Sequence, residues 1–428
     1  MLRSRWTLAV VLLLGVICVL AVLLVAQGTL RPEISRTDLP SYEDLTGSLF
    51  RLSPSHPFGP PGVQEIALPP LRDGVCIWGA TGRDRDGHIW VGVSADSPGG
   101  SAHLLQFDPE TGAWHDRGTV VDQLKAAGLY RQGEGQAKIH SKIVTDVEGW
   151  LYFASTDEEG EMIEGATLPR WGGHLWRTKP NRERWQHLMA VPEGLLAVSG
   201  VGRYIYVLGY WGHVLYQYDT VSGKNKRVVV GSAAGHVSRN FLADVHGHAY
   251  VPRLTGQPGG TVSAVLVEYD SELRELAATP LDNYLGTLSP HANHGIVGLV
   301  YLADGRLLFT THRGQLYIIQ PRVDTPALVT AIGWFHPDGE AYAPSLFALG
   351  RDALIAGVTE RNGRYEWVVM ELNTRISGAF PLDTKGLRGV LLYGSVNRDR
   401  AGRAYVGGWA SSGAGGTRPI MLQIDPGQ

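Results

Sequence analysis

The chain has 428 residues and a formal net charge of −3, so its charge gives no reason to expect nucleic acid as a partner. Glycine accounts for 55 residues and only 18% of residues are charged, which is atypical of a coiled coil or helical bundle. An apolar content of 44% argues against disorder, because it can build a large core. Two cysteines cannot form a disulfide framework.

The N-terminus carries an apolar segment. Residues 6–26 contain no charged side chain and follow Arg3 and Arg5. A helix over this range would span roughly 31 Å, which matches the hydrocarbon core of a bilayer. We predict a signal-anchor transmembrane segment at 1–26 with the bulk of the chain outside the cytoplasm, and a polar linker at 27–61. The alternatives are a cleaved signal peptide and a buried helix of a soluble protein.

The rest of the chain repeats a short pattern in which apolar residues lead into a turn, and a turn followed by a β-rich run precedes each copy. The seven copies are LLQFDP (104–109), LWRTKP (175–180), LYQYDT (215–220), LVEYDS (266–271), LYIIQP (316–321), VMELNT (369–374) and MLQIDP (421–426). Seven units of roughly 50 residues with several short strands each predict an all-β, seven-bladed β-propeller over 62–428.

Ring closure can also be predicted. The last repeat stops one strand short of a full blade, and residues 63–68 form a spare strand ahead of the first repeat. We expect this N-terminal strand to complete blade 7, which would remove an exposed sheet edge. The alternative is an open or six-bladed ring with a stray N-terminal strand.

The innermost strand of each blade should line the central channel. Counting back from the second strand with a period of two predicts seven lining positions. They are Trp78, His140, Gly194, Ser238, Ile296, Ala343 and Tyr393. The same count, two residues earlier, places His236 and His294 near the channel mouth, and Lys142 and Arg239 follow closely in the sequence.

The three histidines at the mouth have several possible roles. His140, His236 and His294 could ligate one divalent transition metal ion, because neutral imidazole suits such ions. Alternatively, His140, His236, Arg239 and Lys142 could act as catalytic residues, with histidine serving as general acid or base. The third interpretation is that the histidines hydrogen-bond neighbouring strands or contact a ligand.

The run DRDGHIWVG at 84–92 resembles the strand of the two-component-regulator propeller repeat. It is also similar to repeats of virginiamycin B lyase and NHL-type propellers. The resemblance implies a propeller over about 62–428. The lyases of this fold hold histidines and a divalent cation in the channel mouth, and His140, His236 and His294 match that arrangement in kind.

Two functions follow as expectations. The first is an extracytoplasmic binding or scaffold module for a small molecule, a saccharide or another extracytoplasmic protein, because no catalytic signature such as HExxH or GxSxG is present. The second is a lyase or hydrolase acting on a saccharide or cyclic ester with the histidine cluster at the mouth. Whether the protein is an enzyme is left open by the sequence.

Overall fold

A computed structural model of the protein describes residues 57–96, 99–159, 168–210, 213–258, 260–287, 289, 292–349, 354–384, 386–395, 397–413 and 415–427. The predicted anchor at 1–26 and nearly all of the predicted linker at 27–61 lie outside these ranges. Within them, no helix combines the length and the apolar character needed to cross a membrane.

The described chain forms seven antiparallel sheets, so the predicted seven-bladed propeller is confirmed. Blade 1 contains β2 (Gly74–Cys76), β3 (Thr81–Arg83), β4 (Ile89–Ala95), β5 (His103–Phe107) and β6 (Trp114–Thr119). Blade 2 contains β7 (Lys138–Ile139), β8 (Val144–Thr145), β9 (Leu151–Thr156), β10 (Gly173–Thr178) and β11 (Gln186–Val191). Blade 3 contains β12 (Leu195–Ser199), β13 (Tyr204–Gly209), β14 (Val214–Asp219) and β15 (Asn225–Val229).

The next three blades have four strands each. Blade 4 contains β16 (Leu242–Ala243), β17 (Ala249–Gly256), β18 (Val262–Tyr269) and β19 (Glu275–Leu281). Blade 5 contains β20 (Ile296–Tyr301), β21 (Leu307–Thr311), β22 (Gln315–Gln320) and β23 (Leu328–Trp334). Blade 6 contains β24 (Phe347–Leu349), β25 (Leu354–Arg361), β26 (Arg364–Glu371) and β27 (Ser377–Pro381).

Blade 7 combines the two ends of the described chain. Its inner three strands are β28 (Leu391–Leu392), β29 (Ala404–Ser411) and β30 (Thr417–Asp425). Its outer strand is β1 (Gly62–Ile66), which pairs antiparallel with β30 over five residues, from Gly62 opposite Asp425 to Ile66 opposite Met421. The spare strand in the sequence therefore lies beside the last strand of the propeller.

Seven apolar clusters hold the blades together, and each contains residues of neighbouring blades. The cluster between blades 7 and 1 joins Tyr405 and Met421 to Ile89 and Val91, so the contacts return to the starting blade. Trp90, Tyr152, Tyr206 and Tyr250 are fully buried, as expected of side chains that pack between blades. The core is thus a closed circle of inter-blade contacts, which burial of apolar area stabilises.

The connection between blades 1 and 2 contains a short helix. Helix α1 (Val120–Ala126) starts at Thr119, whose hydroxyl accepts a hydrogen bond from the backbone N–H of Asp122. The glycine-rich stretch after the helix is tied to blade 2, because the Gln136 side chain bonds Ser155 and the Gly172 carbonyl. Between β9 and β10, residues 160–167 lie outside the described residues.

Candidate functional site

A cavity lies at the mouth of the central channel. Its lining residues come from the inner segments of six of the seven blades. They are Trp78, Gly79, His140, Lys142, Arg239, Asn240, His294, Val297, Tyr342, Pro344 and Tyr393. Two of these side chains are cationic, and none of the described residues that line the cavity is acidic.

Arg239 crosses the mouth and connects three blades. Its backbone N–H donates to the carbonyl of His294 in the segment leading to blade 5 at 2.8 Å. Its guanidinium donates to Nε2 of His140 in blade 2 at 3.1 Å, and it lies 5.9 Å from the ring centre of Tyr210 in blade 3. The charge of Arg239 is therefore held at the cavity by contacts on both sides.

His140 is a neutral imidazole with a defined tautomer. Its Nδ1 lies 3.2 Å from the carbonyl oxygen of Leu196, which can only accept, so Nδ1 carries the proton. Its Nε2 accepts from Arg239. Burial, followed by the nearby charge of Arg239, lowers the pKa of His140 well below its usual value. Both ring nitrogens are consequently engaged.

His294 lies against a second aromatic group. Its Nδ1 shares a hydrogen bond of 2.7 Å with the Tyr342 hydroxyl, and its backbone N–H donates to Nδ1 of His312. Burial and then Arg239 lower the pKa of His294 to about 3, so the ring is neutral near pH 7. A phenol and a neutral imidazole in contact can exchange a proton with a bound molecule.

His236 is buried behind this region and is not among the lining residues. Its Nε2 bonds the hydroxyl of Tyr284 at 2.9 Å. Gly295 packs against the same hydroxyl: a Cβ there would lie 2.4 Å from the Tyr284 oxygen and 2.6 Å from Ser238 Oγ, and its φ is +70°. Glycine is needed at this position both for space and for backbone conformation.

The structure thus brings four of the five predicted site residues to one cavity: His140, Lys142, Arg239 and His294. It does not gather His140, His236 and His294 as one ligand set. In the part of the chain that the structure describes, the sole group of three or more potential ligands within 4.8 Å is Asp84, Asp86 and His88 in a turn of blade 1. The metal site of three histidines stays a prediction.

Trp78, Tyr342 and Tyr393 form the aromatic part of the cavity wall. The rings of Trp78 and Tyr393 are 4.6 Å apart, and the buried Nε1 of Trp78 has no hydrogen-bond partner among the described residues. Counting strand positions predicted Trp78, His140 and Tyr393 as lining residues, but it selected Ser238, Ile296 and Ala343 where Arg239, Val297 and Tyr342 line the cavity. Each of these three errors is a shift of one residue, and the seventh predicted position, Gly194, does not line the cavity.

No protein family model matches the sequence, and no curated protein matches it. Among solved structures, a protein of unknown function from Dyadobacter fermentans is 11% identical, with a TM-score of 0.50 over 85% of this chain and 99% of that one. The extracellular domain of a putative hybrid two-component system from B. thetaiotaomicron is 15% identical, with a TM-score of 0.49 over 85% of this chain and 39% of that one.

The β-propeller domain of Myceliophteria thermophila Cps50 (Swd1) is 12% identical, with a TM-score of 0.48 over 85% of this chain and 100% of that one. At such identities the likeness concerns the fold alone. The chain spans less than half of the B. thetaiotaomicron domain. In its fold, the chain is a seven-bladed β-propeller.

Proposed function

We propose that the protein is a binding module that holds a small anionic molecule in its central cavity. The observation that carries the proposal is the charge of the cavity wall: Lys142 and Arg239 line it without any acidic residue among the described lining. A buried cation is stabilised by a counter-charge, and a bound carboxylate or phosphate would supply one. The aromatic rings of Trp78 and Tyr393 would contact the apolar face of such a ligand.

Calorimetric titration of the full chain with glucuronate, citrate and phosphate tests this proposal, with neutral glucose as the comparison. Arg239→Met should weaken anion binding roughly ten- to a hundredfold, since a charged hydrogen bond contributes about 1.5–3 kcal/mol. The control is Arg274→Met, because the side chain of Arg274 is 76% exposed and bonds Asp270 away from the cavity. Equal affinity for glucose and glucuronate, or no effect of Arg239→Met, would contradict the proposal.

We further propose that residues 1–26 anchor the propeller, residues 62–428, on the outer side of the cytoplasmic membrane. Support comes from the uncharged run at 6–26 and from the basic residues ahead of it. Full-length protein should fractionate with membranes and its propeller should be accessible to external protease. A mature N-terminus near residue 28 would instead indicate a cleaved signal peptide.

A second candidate function is a lyase or hydrolase that acts on an acidic saccharide. The hydrogen-bonded pair of His294 and Tyr342 favours it, because a lyase needs one group to accept a proton from the carbon beside the carboxylate and another to protonate the leaving oxygen. Arg239 would neutralise that carboxylate. Acidic oligosaccharides incubated with the protein should then yield unsaturated products, detected by ultraviolet absorbance, and His294→Gln should abolish them.

The transition-metal site of His140, His236 and His294 can be tested separately. Metal analysis of purified protein would support it by finding about one divalent ion per chain that His236→Ala releases. Metal-free protein whose melting temperature does not respond to added divalent ions would assign these side chains to hydrogen bonding and ligand contact.

A further inference from the structure

Lys142 differs in burial and in polar contacts from three other lysines of the chain. It lies between β7 and β8, lines the cavity and is only 7% exposed. Lys138 and Lys226 form ion pairs with Glu158 and Glu272, and Lys179 bonds a carbonyl oxygen. Lys142 makes no hydrogen bond or ion pair with any residue that the structure describes. A buried amine without a partner costs stability. A bound ligand that pairs with the amine would offset that cost.

Burial also changes the protonation of this amine. It lowers the pKa of Lys142 to about 8, and no neighbouring charge contributes to the shift. A larger fraction of the molecules therefore carries the neutral amine at pH 7 than for an ordinary lysine, whose pKa is near 10.4. The other titratable groups that line the cavity are Arg239, His140, His294, Tyr342 and Tyr393. A desolvated neutral amine in a cavity is a nucleophile toward carbonyl carbon.

We infer that Lys142 forms a reversible imine with a small oxo-acid, a molecule that carries both a carbonyl and a carboxylate. This inference rests on the proposed anion site and deepens it by naming the class of ligand. Arg239 would hold the carboxylate, and the carbonyl carbon would be presented to Nζ of Lys142.

Formation of the imine requires no oxidant or reductant. The lone pair of Nζ attacks the carbonyl carbon, a proton moves from nitrogen to oxygen, and a carbinolamine results. Loss of the hydroxyl with a further proton from nitrogen releases one water and leaves the C=N bond of the imine. The Tyr342 hydroxyl and His294 lie in the same cavity and can relay these protons.

Glyoxylate is the probe, because it is the smallest oxo-acid of this kind, and glycolate is its counterpart without the carbonyl. The full chain is incubated with glyoxylate and cyanoborohydride, which transfers hydride to the imine carbon and converts it to a stable secondary amine. Peptide mass mapping should place a carboxymethyl group on Lys142. The yield should rise between pH 6 and pH 8 as the amine loses its proton.

Lys142→Arg keeps a positive charge but cannot form the imine, so the adduct should disappear from this position. Lys138→Met is the matched control, because Lys138 lies four residues earlier and is paired with Glu158; the Lys142 adduct should persist in it. Adducts spread evenly over surface lysines, or none on Lys142, would overturn the inference. If glycolate and other anions still bind in that case, the proposed anion site stands while the imine does not.

Discussion

The hydroxyl of Tyr250 donates a hydrogen bond of 2.7 Å to Oδ2 of Asp244, while Oδ1 of the same carboxylate accepts the backbone N–H groups of His246 and His248. The same side-chain pairing, six residues apart, recurs in three other blades. The pairs are Asp84 with Trp90, Asp146 with Tyr152, and Asp399 with Tyr405. In four blades, a buried aspartate is thus hydrogen-bonded both to the backbone of the turn and to the aromatic side chain six residues later.

Tyr250→Phe should lower the free energy of unfolding by about 1.5–3 kcal/mol, because it removes a hydrogen bond to a buried carboxylate. Tyr218→Phe is the control: Tyr218 is also buried in a strand, and its hydroxyl bonds no residue among those that the structure describes. Its replacement should cost less than about 0.5 kcal/mol. Urea unfolding measures both, and equal costs would show that the bond contributes nothing.

Gly295→Ala should destabilise the protein by more than backbone strain alone. The added Cβ meets Tyr284 and Ser238 at contact distances below 3.0 Å. Gly231 has a similar φ of +67° but open space around it, so Gly231→Ala measures the conformational cost, about 1–2 kcal/mol. Thermal unfolding of the two variants should therefore separate strain from steric clash, and equal losses would mean that the site relaxes freely.

Acid should destabilise the propeller below about pH 6.5. Burial lowers the pKa of His213 to about 4, so the folded state binds this proton less readily than the unfolded chain, whose histidine pKa is about 6.5. Its contribution to stability is full above pH 6.5 and is lost as the pH falls toward 4. His213→Asn should flatten the slope of unfolding free energy between these pH values by up to about 1.4 kcal/mol per unit.

Asparagine suits position 213 because His213 has a φ of +50°, which asparagine tolerates better than most residues. His115→Asn, at an exposed position, is the matched control for the exchange of histidine for asparagine. Urea titrations at several pH values measure the slope. A variant at position 213 with the slope of the parent protein would contradict the assignment.

Strand β1 should matter for the stability of the whole ring. Val63 faces the cluster between blades 6 and 7, whereas the next residue, Gln64, is exposed on the other face. Val63→Asp should lower the melting temperature by several degrees and Gln64→Asp by much less. Deletion of residues 62–69 should expose the edge of β30 and cause aggregation or a larger loss. A deletion variant as stable as the parent would show that the ring does not need this strand.

The number of blades could be predicted because their turns and third strands repeat visibly in the sequence. Blades 3, 5 and 6 are harder to recognise at the first turn: Gly200, Leu302 and Leu349 stand where the other four blades have the aspartate. Leu302 nevertheless forms the same backbone turn, since its N–H donates to the carbonyl of Arg306. In these blades, the apolar residues of the strands that follow the turn still indicate the repeat in the sequence.

The lining of the cavity was predicted less well for a physical reason. The inner strands are short, with only two residues in β16 and three in β24, and irregular segments precede them. A period of two holds only inside a regular strand, so an error of one residue exchanges the two faces. Counting therefore selected Ser238 beside Arg239, whereas Ser238 is fully buried and bonds the backbone of Ile296.

The pairing of β1 with β30 also sets an order of events during biosynthesis. Glu65 of β1 forms an ion pair with Arg418 of β30, 353 positions later in the chain. At about 5–20 residues per second, translation separates the two strands by roughly 20–70 s. For that time β1 exists without its partner, and blades 1 to 6 emerge before blade 7 can form. The last blade must therefore fold after the others, and a nascent chain stalled before β30 should keep β1 accessible to protease.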